Sequence, residues 1–335
     1  MKKMITKMTM AAALLACGSA FAQGDMPELK FQDYPSTGGN LLARVAIAKG
    51  YCEKHGIKCS LKTIPSAPLG LQVMTAGSID VAMTPLLVEI SAVHRGAKVK
   101  AIAGAVVDNI GQLVVRNDAL GPHADQGFPA AVRDLKGKKI GVTARGGSAE
   151  LQLRYLLEQA GLKPDDVNVV AVGGVNTAMP SMMSGQIDAA FSYEPAGSMC
   201  EVDKKCKVIY LASHDKQPAA IYATNGAQQN MVVTQDMIDQ HPDRVHAIVA
   251  AMTDAQAFID DPKNFPELTK ISKQFFNLKV PHGDEITELS VRKAIPGDRV
   301  AISRDAVKAT VDLMVKLKMI PKPVPVDELV YAKAP

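Results

Sequence analysis

The 335-residue sequence has little net charge and no long apolar run beyond its N-terminal segment. Its formal charge is only +4, and three of the positive charges belong to Lys2, Lys3 and Lys7. The rest of the chain is nearly balanced, which gives no general drive toward nucleic acid or an anionic membrane. No later stretch approaches the 18 uninterrupted apolar residues that indicate a membrane-spanning helix. We therefore expect a soluble mature protein that binds neither of these partners.

The sequence also lacks the short motifs that identify common catalytic centres. It contains no H-E-x-x-H, no G-x-S-x-G, no P-loop and no G-x-G-x-x-G. The histidines lie far apart along the chain or out of phase on predicted helices, so surface or structural roles are expected for His55, His94, His123, His214, His241, His246 and His282. These absences disfavour an enzyme and a histidine-based metal site.

The first 22 residues have the order of features of an export signal. The three lysines precede a short apolar run, Met8 to Ala16, and Ala20-Phe21-Ala22 forms an A-x-A cleavage site. Residues 1–22 are therefore predicted to be a cleaved signal peptide that directs the mature chain to the periplasm. The segment Leu14 to Cys17 loosely matches a lipoprotein signal, so lipid anchoring through Cys17 is the alternative.

Four cysteines remain after this segment, and they form two close pairs. Six residues separate Cys52 from Cys59, and five separate Cys200 from Cys206. An exported protein encounters conditions that permit disulfides, and loops this short each add roughly 2–3 kcal/mol of stability on the chain-entropy model. Free thiols and a metal site are the alternatives, but the spacings resemble no common zinc pattern. We predict two structural disulfides and no metal.

An internal repeat organises the chain. When the sequence is shifted by 108 positions, Gly77–Met83 falls on Gly185–Phe191, and Ser36–Asn40 falls on Ala144–Ser148. Each copy has the predicted order strand, glycine loop, helix, strand, helix, strand. Strands that alternate with helices predict mainly parallel sheets flanked by helices. Two long copies predict an α/β fold with two lobes rather than a solenoid of many short repeats.

The two lobes are expected to be interleaved in the sequence. Strands are predicted at Val99–Val106 and Gln112–Arg116, between the copies, and the chain after Thr234 has a helical pattern. These C-terminal helices are expected to return to the first lobe. Lobe I is predicted to be discontinuous, at 26–115 and 226–335, and lobe II to be continuous, at 116–225. The ligand cleft is predicted to lie between the two lobes.

Both glycine loops occupy the position where parallel α/β sheets bind ligands, at the carboxyl ends of strands. Glycine lets backbone N–H groups approach a ligand, and the helix after each loop begins with unpaired N–H groups and a partial positive charge. Two such ends facing each other suit a carboxylate, sulfonate, nitrate or phosphate. The candidate ligand-binding residues are therefore Gly38, Gly39, Asn40, Arg145, Gly146, Gly147 and Ser148. A purely structural turn, and a solvent-facing Arg145, are the alternatives.

The loops after the third strand of each copy supply further candidates. Thr84 follows this strand in the first copy, and Ser192 and Tyr193 follow it in the second. All three side chains can form hydrogen bonds with a ligand. Glu194 comes next, and three roles stay open for its carboxylate: it accepts from a ligand amine, it accepts from a backbone N–H, or it links the lobes.

The segment Asp134–Val142, the loop after it and the two G-x-I-D-x-A segments resemble the periplasmic solute-binding components of ABC importers. The resemblance is to the branch for nitrate, sulfonates, taurine and thiamine precursors, with relatives for aromatic carboxylates, and it covers roughly residues 27–320. It implies a type II periplasmic-binding-protein fold with two hinge strands, and a membrane permease and ATPase as partners. The binding loops of the family fall on Thr37–Asn40, Thr84, Arg145–Ser148, Asn176 and Tyr193–Glu194.

The chain departs from many relatives because it contains no tryptophan, and Tyr193 stands before Glu194-Pro195 where they have one. Sulfonate or taurine specificity is therefore not transferred. We expect a monomer, without a cofactor, that captures a small organic anion for a permease. The anion is a carboxylate or a sulfonate, with or without an aromatic ring. A binding module for a sensor or another transporter is the alternative. An enzyme such as the related eukaryotic thiamine-pyrimidine synthase is less favoured, because the cysteine-rich motif and active-site histidine of that relative are not recognisable here.

Overall fold

The computed structural model of the chain describes residues 26–34, 40–275 and 278–335. The predicted signal peptide, 1–22 with Cys17, lies outside these ranges, as do Thr37, Gly38 and Gly39 of the first glycine loop. None of the helices in the described ranges is long and apolar enough to cross a membrane.

Strands and helices alternate along the described chain, as the repeat predicts. The strands are β1 Glu28–Asp33, β2 Lys58–Thr63, β3 Ala82–Pro85, β4 Val99–Val106, β5 Gln112–Arg116, β6 Lys139–Val142, β7 Asn168–Ala171, β8 Ala189–Ser192, β9 Cys206–Leu211 and β10 Gln229–Thr234. The helices are α1 Leu41–Ala48, α2 Tyr51–Lys54, α3 Ala67–Thr75, α4 Leu86–His94, α5 Ala130–Arg133, α6 Ser148–Gln159, α7 Val175–Met183, α8 Ala196–Asp203, α9 Ala219–Tyr222, α10 Gln235–Gln240, α11 Pro242–Asp260, α12 Phe265–Phe275, α13 Gly283–Ala294, α14 Arg304–Lys316 and α15 Val326–Leu329.

The strands form two mixed sheets of the same design. In the first, β1 and β2 run parallel, β10 runs antiparallel between β3 and β4, and a bridge from Phe31 to Val81 joins the two parts. The second has the order β7-β6-β8-β5-β9, in which β5 is the antiparallel strand. Strand for strand, the first sheet therefore has the order β2-β1-β3-β10-β4. The predicted α/β fold with two lobes is confirmed.

The chain crosses twice between the two sheets, and the first strand after each crossing is the antiparallel strand of the sheet that it enters. Strand β5 follows β4 in sequence but joins the second sheet, and β10 follows β9 but joins the first. The chain therefore passes from the first sheet to the second at 107–111, between β4 and β5. The two crossings contact each other, because the backbone N–H groups of Gly226 and Gln228 both donate to the carbonyl oxygen of Val107, at 2.7 and 3.1 Å.

The repeated G-x-I-D segment is a structural joint between a helix and the next strand. Gly77 ends α3 in the left-handed region, at φ +74°, a conformation that glycine adopts without strain. Three residues later, a carboxylate oxygen of Asp80 accepts from the backbone N–H of Lys30 at 2.7 Å. In the second copy, Asp188 accepts from the N–H of Lys139 at 2.9 Å. The motif therefore attaches the third strand to the first and leaves its carboxylate no ligand-binding role.

Helices cover both faces of each sheet and enclose the apolar cores. Helices α1 and α11 pack on one face of the first sheet and α4 and α14 on the other. In the second lobe, α6 covers one face and α7 the other. The expectation that the C-terminal helices return to the first lobe is incomplete. Helix α13 also packs on α8, and Leu313 of α14 joins a core cluster of the second lobe.

Both predicted disulfides are confirmed. Cys52 in α2 is bonded to Cys59 in β2, and Cys200 in α8 is bonded to Cys206 in β9. Each bond thus ties a helix to the strand that follows it, once in each lobe.

Candidate functional site

A cavity of about 100 Å³ lies between the two lobes, at the ends of β3, β6 and β8. The first lobe and the crossing segments contribute Tyr34, Pro65, Ser66, Ala67, Pro68, Pro85, Val106, Ile110, Gln228 and Gln229. The second lobe contributes Thr143, Ala144, Gly147, Ser148, Gly174, Val175, Ser192, Tyr193 and Glu194. A molecule held in this cavity would therefore contact both lobes.

Three helices begin at the wall of this cavity. Ser66 precedes α3, Gly147 precedes α6 and Gly174 precedes α7, and no side chain of the described residues caps any of these helix starts. The first N–H groups of a helix have no partner within it, and the helix dipole places about half a positive charge at this end. The cavity is thus positively polarised from both lobes.

No basic side chain lines the cavity among the described residues. Its lining contains neither lysine, arginine nor histidine, and the internal segments outside the described ranges, 35–39 and 276–277, contain no ionisable residue in their sequence. Hydroxyls, amides and backbone N–H groups are the polar groups present, and Glu194 supplies the carboxylate. The positive polarisation that reaches the cavity therefore comes from partial charges of the backbone and not from a basic side chain.

The carboxylate of Glu194 is engaged with the protein on both oxygens. Oε2 accepts from the backbone N–H and the hydroxyl of Ser198, at 3.2 and 2.6 Å. Oε1 accepts from Gln112 Nε2 at 3.3 Å and lies 4.0 Å from Lys293 Nζ. Of the three roles left open by the sequence, the structure supports contact with a backbone N–H and with Lys293 of α13. Glu194 thus caps the start of α8.

Two tyrosines approach the cavity from opposite lobes. The phenol of Tyr34 donates to the carbonyl oxygen of Met83 at 2.5 Å, and burial raises its pKa far above the usual range. Burial also raises the pKa of Tyr193 to about 12, an effect that a hydrogen bond with Ser148 partly offsets. Both phenols therefore remain protonated at neutral pH. The Tyr34 phenol donates to the backbone, whereas Tyr193 and Ser148 both line the cavity from the second lobe.

The structure brings five of the predicted site residues together: Gly147, Ser148, Ser192, Tyr193 and Glu194. It does not bring Arg145 to the cavity. Arg145 Nη2 pairs with Glu150 Oε1 at 3.0 Å, and Nη1 donates to the carbonyl oxygen of Val169 at 2.9 Å. Gly146 likewise donates its N–H to Glu150 Oε2 at 2.6 Å. Glu150 thus satisfies this part of the loop from within the same lobe.

Three other candidates lie elsewhere. The amide of Asn40 donates to the carbonyl oxygen of Gln32 and to Asp33 Oδ1, at 2.6 and 2.9 Å, and so attaches α1 to β1. Thr84 is fully buried outside the cavity lining, and its hydroxyl has no partner among the described residues. Asn176 lines a separate, open cavity between α7 and α8.

Several lining residues were not predicted from the sequence, although one signal in the sequence points to some of them. Ser66-Ala67 and Gly174-Val175 correspond at the offset of 108 positions, and both begin helices at the cavity. The repeat therefore contained a second pair of helix starts beside the glycine loops. Tyr34, Gln228 and Gln229 have no such signal, because they enter the cavity from a strand end and a crossing segment.

Comparisons with known proteins agree with this architecture. A Brucella abortus (strain 2308) chain described as a binding protein is 27% identical over 255 residues, which is 74% of each chain. The alkanesulfonate-binding protein SsuA from Xanthomonas axonopodis pv. citri, solved with bound MOPS, has the same fold. The TM-score is 0.71 at 18% identity, over 92% of this chain and 98% of that one.

The similarity extends to an enzyme. A 4-amino-5-hydroxymethyl-2-methylpyrimidine phosphate synthase from Aspergillus parasiticus is 26% identical over 151 residues, or 45% of this chain and 41% of that one. The family model described as NMT1-like matches residues 37–273, well over half of the sequence. The resemblance to the solute-binding components of ABC importers is thus confirmed, and the chain belongs to the NMT1-like family.

Proposed function

We propose that this chain is a periplasmic solute-binding protein that captures a small organic anion and delivers it to an ABC permease and its ATPase. The anion is a carboxylate or a sulfonate with an apolar body. One observation carries this proposal: three uncapped helix starts, from both lobes, converge on a cavity that lacks basic side chains and has many apolar walls.

The charge of the cavity favours a single negative charge on the ligand. Partial charges at the starts of α3, α6 and α7 attract an anion, but no full positive charge offsets a second negative one. Burial of an uncompensated charge is expensive, so a dianion is disfavoured. A ligand amine is disfavoured as well, because both oxygens of Glu194 already have partners.

The walls of the cavity favour an organic ligand over a bare inorganic anion. Apolar side chains face it from both lobes and from the crossing segments: Pro65, Pro68, Val106, Ile110 and Val175. Contact with an apolar body removes this surface from water at about 25 cal/mol per Å². Nitrate or bicarbonate would leave these contacts unused.

The same lining supports binding rather than catalysis. Among the described residues, it contains no histidine, cysteine or lysine to act as a base or nucleophile, and its carboxylate is held by Ser198 and Gln112. The four cysteines of the predicted mature chain are paired in disulfides. We therefore propose that the chain is not an enzyme; turnover of a bound compound, measured by product analysis, would contradict this.

Closure of the lobes is the proposed mechanism of capture. A ligand that contacts both lobes binds the closed state more tightly than the open one and shifts the population toward it. The division predicted from the sequence places lobe I at 26–115 and 226–335 and lobe II at 116–225. We propose this division with one change: the first boundary lies before Gln112. The crossing segments 107–111 and 223–228 then act as the hinge of a monomeric protein.

Thermal unfolding of the mature chain, with calorimetric titration of the hits, tests the proposal. The absence of tryptophan makes calorimetry preferable to intrinsic fluorescence. The panel pairs each anion with its neutral counterpart: benzoate with benzamide, butyrate with butyramide, and benzenesulfonate with benzenesulfonamide. An anion at a hundredfold excess over its Kd should add about 2.7 kcal/mol of stability. Stabilisation by neutral or cationic compounds alone would overturn the anion proposal.

Two variants locate the binding. Ser148→Ala removes a hydroxyl from the cavity wall and should weaken binding of the anion about tenfold, the equivalent of one hydrogen bond to a charged group. Arg145→Ala is the matched control from the same loop, since its guanidinium pairs with Glu150 outside the cavity, and it should leave the affinity unchanged. If Arg145→Ala lost affinity and Ser148→Ala did not, the ligand would bind outside this cavity.

A further inference from the structure

A row of buried amide side chains connects the first crossing segment to the cavity. Asn109, at the crossing, donates from Nδ2 to Gln152 Oε1 at 2.7 Å. Gln152, on α6, donates from Nε2 to the hydroxyl oxygen of Ser148 at 2.8 Å. All three residues are at least nine-tenths buried, and Ser148 lines the cavity. The hinge and the binding site thus share one hydrogen-bonded chain.

The backbone fixes the direction of this chain. The N–H of Gly111 donates to Asn109 Oδ1 at 3.1 Å, and a backbone N–H is always a donor. Asn109 must therefore present its NH₂ group to Gln152. Gln152 must accept with its oxygen and present its own NH₂ group to Ser148. Neither amide can rotate without placing two donors or two acceptors against each other.

The direction of this chain determines whether the Ser148 hydroxyl donates or accepts at the cavity. The hydroxyl oxygen of Ser148 accepts from Gln152, so the proton of that hydroxyl is not used in this hydrogen bond. The O–H of Ser148 is therefore available to donate to a ligand in the cavity, which Ser148 lines. If Gln152 were reversed, its oxygen would accept the proton of Ser148, and Ser148 would present only an acceptor to the cavity.

We propose that Asn109 and Gln152 are positioning residues that make the Ser148 hydroxyl a donor, and that they thereby select a carboxylate or sulfonate over its neutral amide. The proposal rests on the function proposed above and identifies what sets its ligand selectivity. It also assigns Asn109 a second role, because its backbone N–H donates to Asn225 Oδ1 of the other crossing at 2.6 Å.

The isosteric variant Asn109→Asp tests the direction of the chain. An ionised aspartate still accepts from Gly111 but presents an acceptor to Gln152, which then turns its oxygen toward Ser148. The ratio of benzoate to benzamide affinity, and the corresponding ratios for the butyrate and benzenesulfonate pairs, should fall about tenfold or more at pH 8. When the pH is lowered and the aspartic acid becomes protonated, it donates again, and the ratio should recover.

Asn225→Asp is the matched control for charge. It places the same charge on the neighbouring crossing, retains an acceptor for the N–H of Asn109, and lies outside the chain to Ser148. The ratio should fall further in Asn109→Asp than in this control. In a Ser148→Ala background, Asn109→Asp should change the ratio no more than the control does. If Asn109→Asp does not fold, Gln152→Glu removes the donor to Ser148 and gives the same test.

The outcomes separate the two proposals. If the wild-type chain binds none of the three anions, the proposed function fails and this inference fails with it. If the wild-type chain binds an anion, but Asn109→Asp and Gln152→Glu alter the ratio no more than Asn225→Asp does, the inference alone is overturned. A pH-independent ratio in Asn109→Asp would overturn it as well, since a merely structural role predicts no recovery.

Discussion

The two halves of the molecule use the same helix position for different purposes. Helices α1 and α6 correspond at the offset of 108 residues, and Arg44 of α1 has Gln152 of α6 as its counterpart. Arg44 is fully buried and forms an ion pair with Asp33 of β1, with Nη2 at 2.9 and 3.1 Å from the two carboxylate oxygens. Gln152 instead connects its helix to the hinge and to Ser148.

This difference shows how a duplicated scaffold divides its tasks. In the first lobe, the buried charges attach the helix to its own sheet, and Arg44 also donates to the carbonyl oxygen of Tyr34 at 2.9 Å. In the second lobe, neutral amides face the crossing segments and the cavity. A buried ion pair is costly to break, whereas neutral hydrogen bonds exchange at a smaller cost. At this position, the buried ion pair therefore holds the helix of the first lobe rigidly on its own sheet. The neutral amide of the second lobe instead connects its helix to the hinge by hydrogen bonds.

The largest expected effect comes from Arg44→Met. This change leaves the carboxylate of Asp33 buried without its cation and should lower the free energy of unfolding by about 3–5 kcal/mol. Gln152→Met, at the corresponding position, removes neutral hydrogen bonds and should cost about 1–3 kcal/mol. Urea unfolding followed by circular dichroism measures both. Equal costs would show that the two positions do not differ in the way proposed.

A second contrast concerns the corresponding helices α4 and α8. Glu89 of α4 is buried, accepts from the N–H of Ala101 at 3.0 Å, and contacts Asn230. Its counterpart in α8 is Gly197, where a Cβ atom would lie 2.0 Å from the side chain of Gln112. A buried carboxyl group thus occupies this position in the first lobe. In the second lobe, glycine at this position lets the side chain of Gln112 pack closely.

The pH dependence of stability should reveal this carboxyl group. Burial raises the pKa of Glu89 from 4.5 to about 8, so the folded chain binds a proton there that the unfolded chain has released. The stability contributed by this group is complete below pH 4.5 and falls as the pH rises toward 8, by about 1.4 kcal/mol per pH unit. Glu89→Gln should flatten the decline in urea unfolding midpoints over this range. Parallel curves for variant and wild type would contradict the assignment.

The fold was more predictable from the sequence than the site, for a physical reason. A repeat preserves the order of strands and helices, and buried strands need apolar residues in both copies, so the shift of 108 positions reveals both sheets. The direction of a side chain in a loop depends on its neighbours in space. Asn40 and Ser148 occupy corresponding positions, yet Asn40 binds the backbone of its own lobe and Ser148 faces the cavity.

Arg145 illustrates the same limit on prediction. A basic residue in a glycine loop suggests an anion contact, but Glu150, one turn into α6, neutralises it. The position equivalent to Glu150 in the first half is Leu42, so the repeat could not predict the ion pair between Arg145 and Glu150. The pairing depends on which rotamers reach across the start of the helix, and no periodic pattern in the sequence encodes that.

The smallest expected effect is at the contact between α13 and the second lobe. Lys293 pairs with Glu201 of α8 at 2.6 Å, whereas the counterpart of Glu201 in α4 is Val93, which packs against a core cluster. Both charged side chains are more than one-third exposed, so Lys293→Gln should cost about 0–1 kcal/mol at low salt. The difference from wild type should vanish in 1 M salt, because exposed charges are screened. A cost that persists in high salt would mean that Lys293 acts through Glu194, the more buried carboxylate 4.0 Å away, and so stabilises the start of α8 beside the cavity.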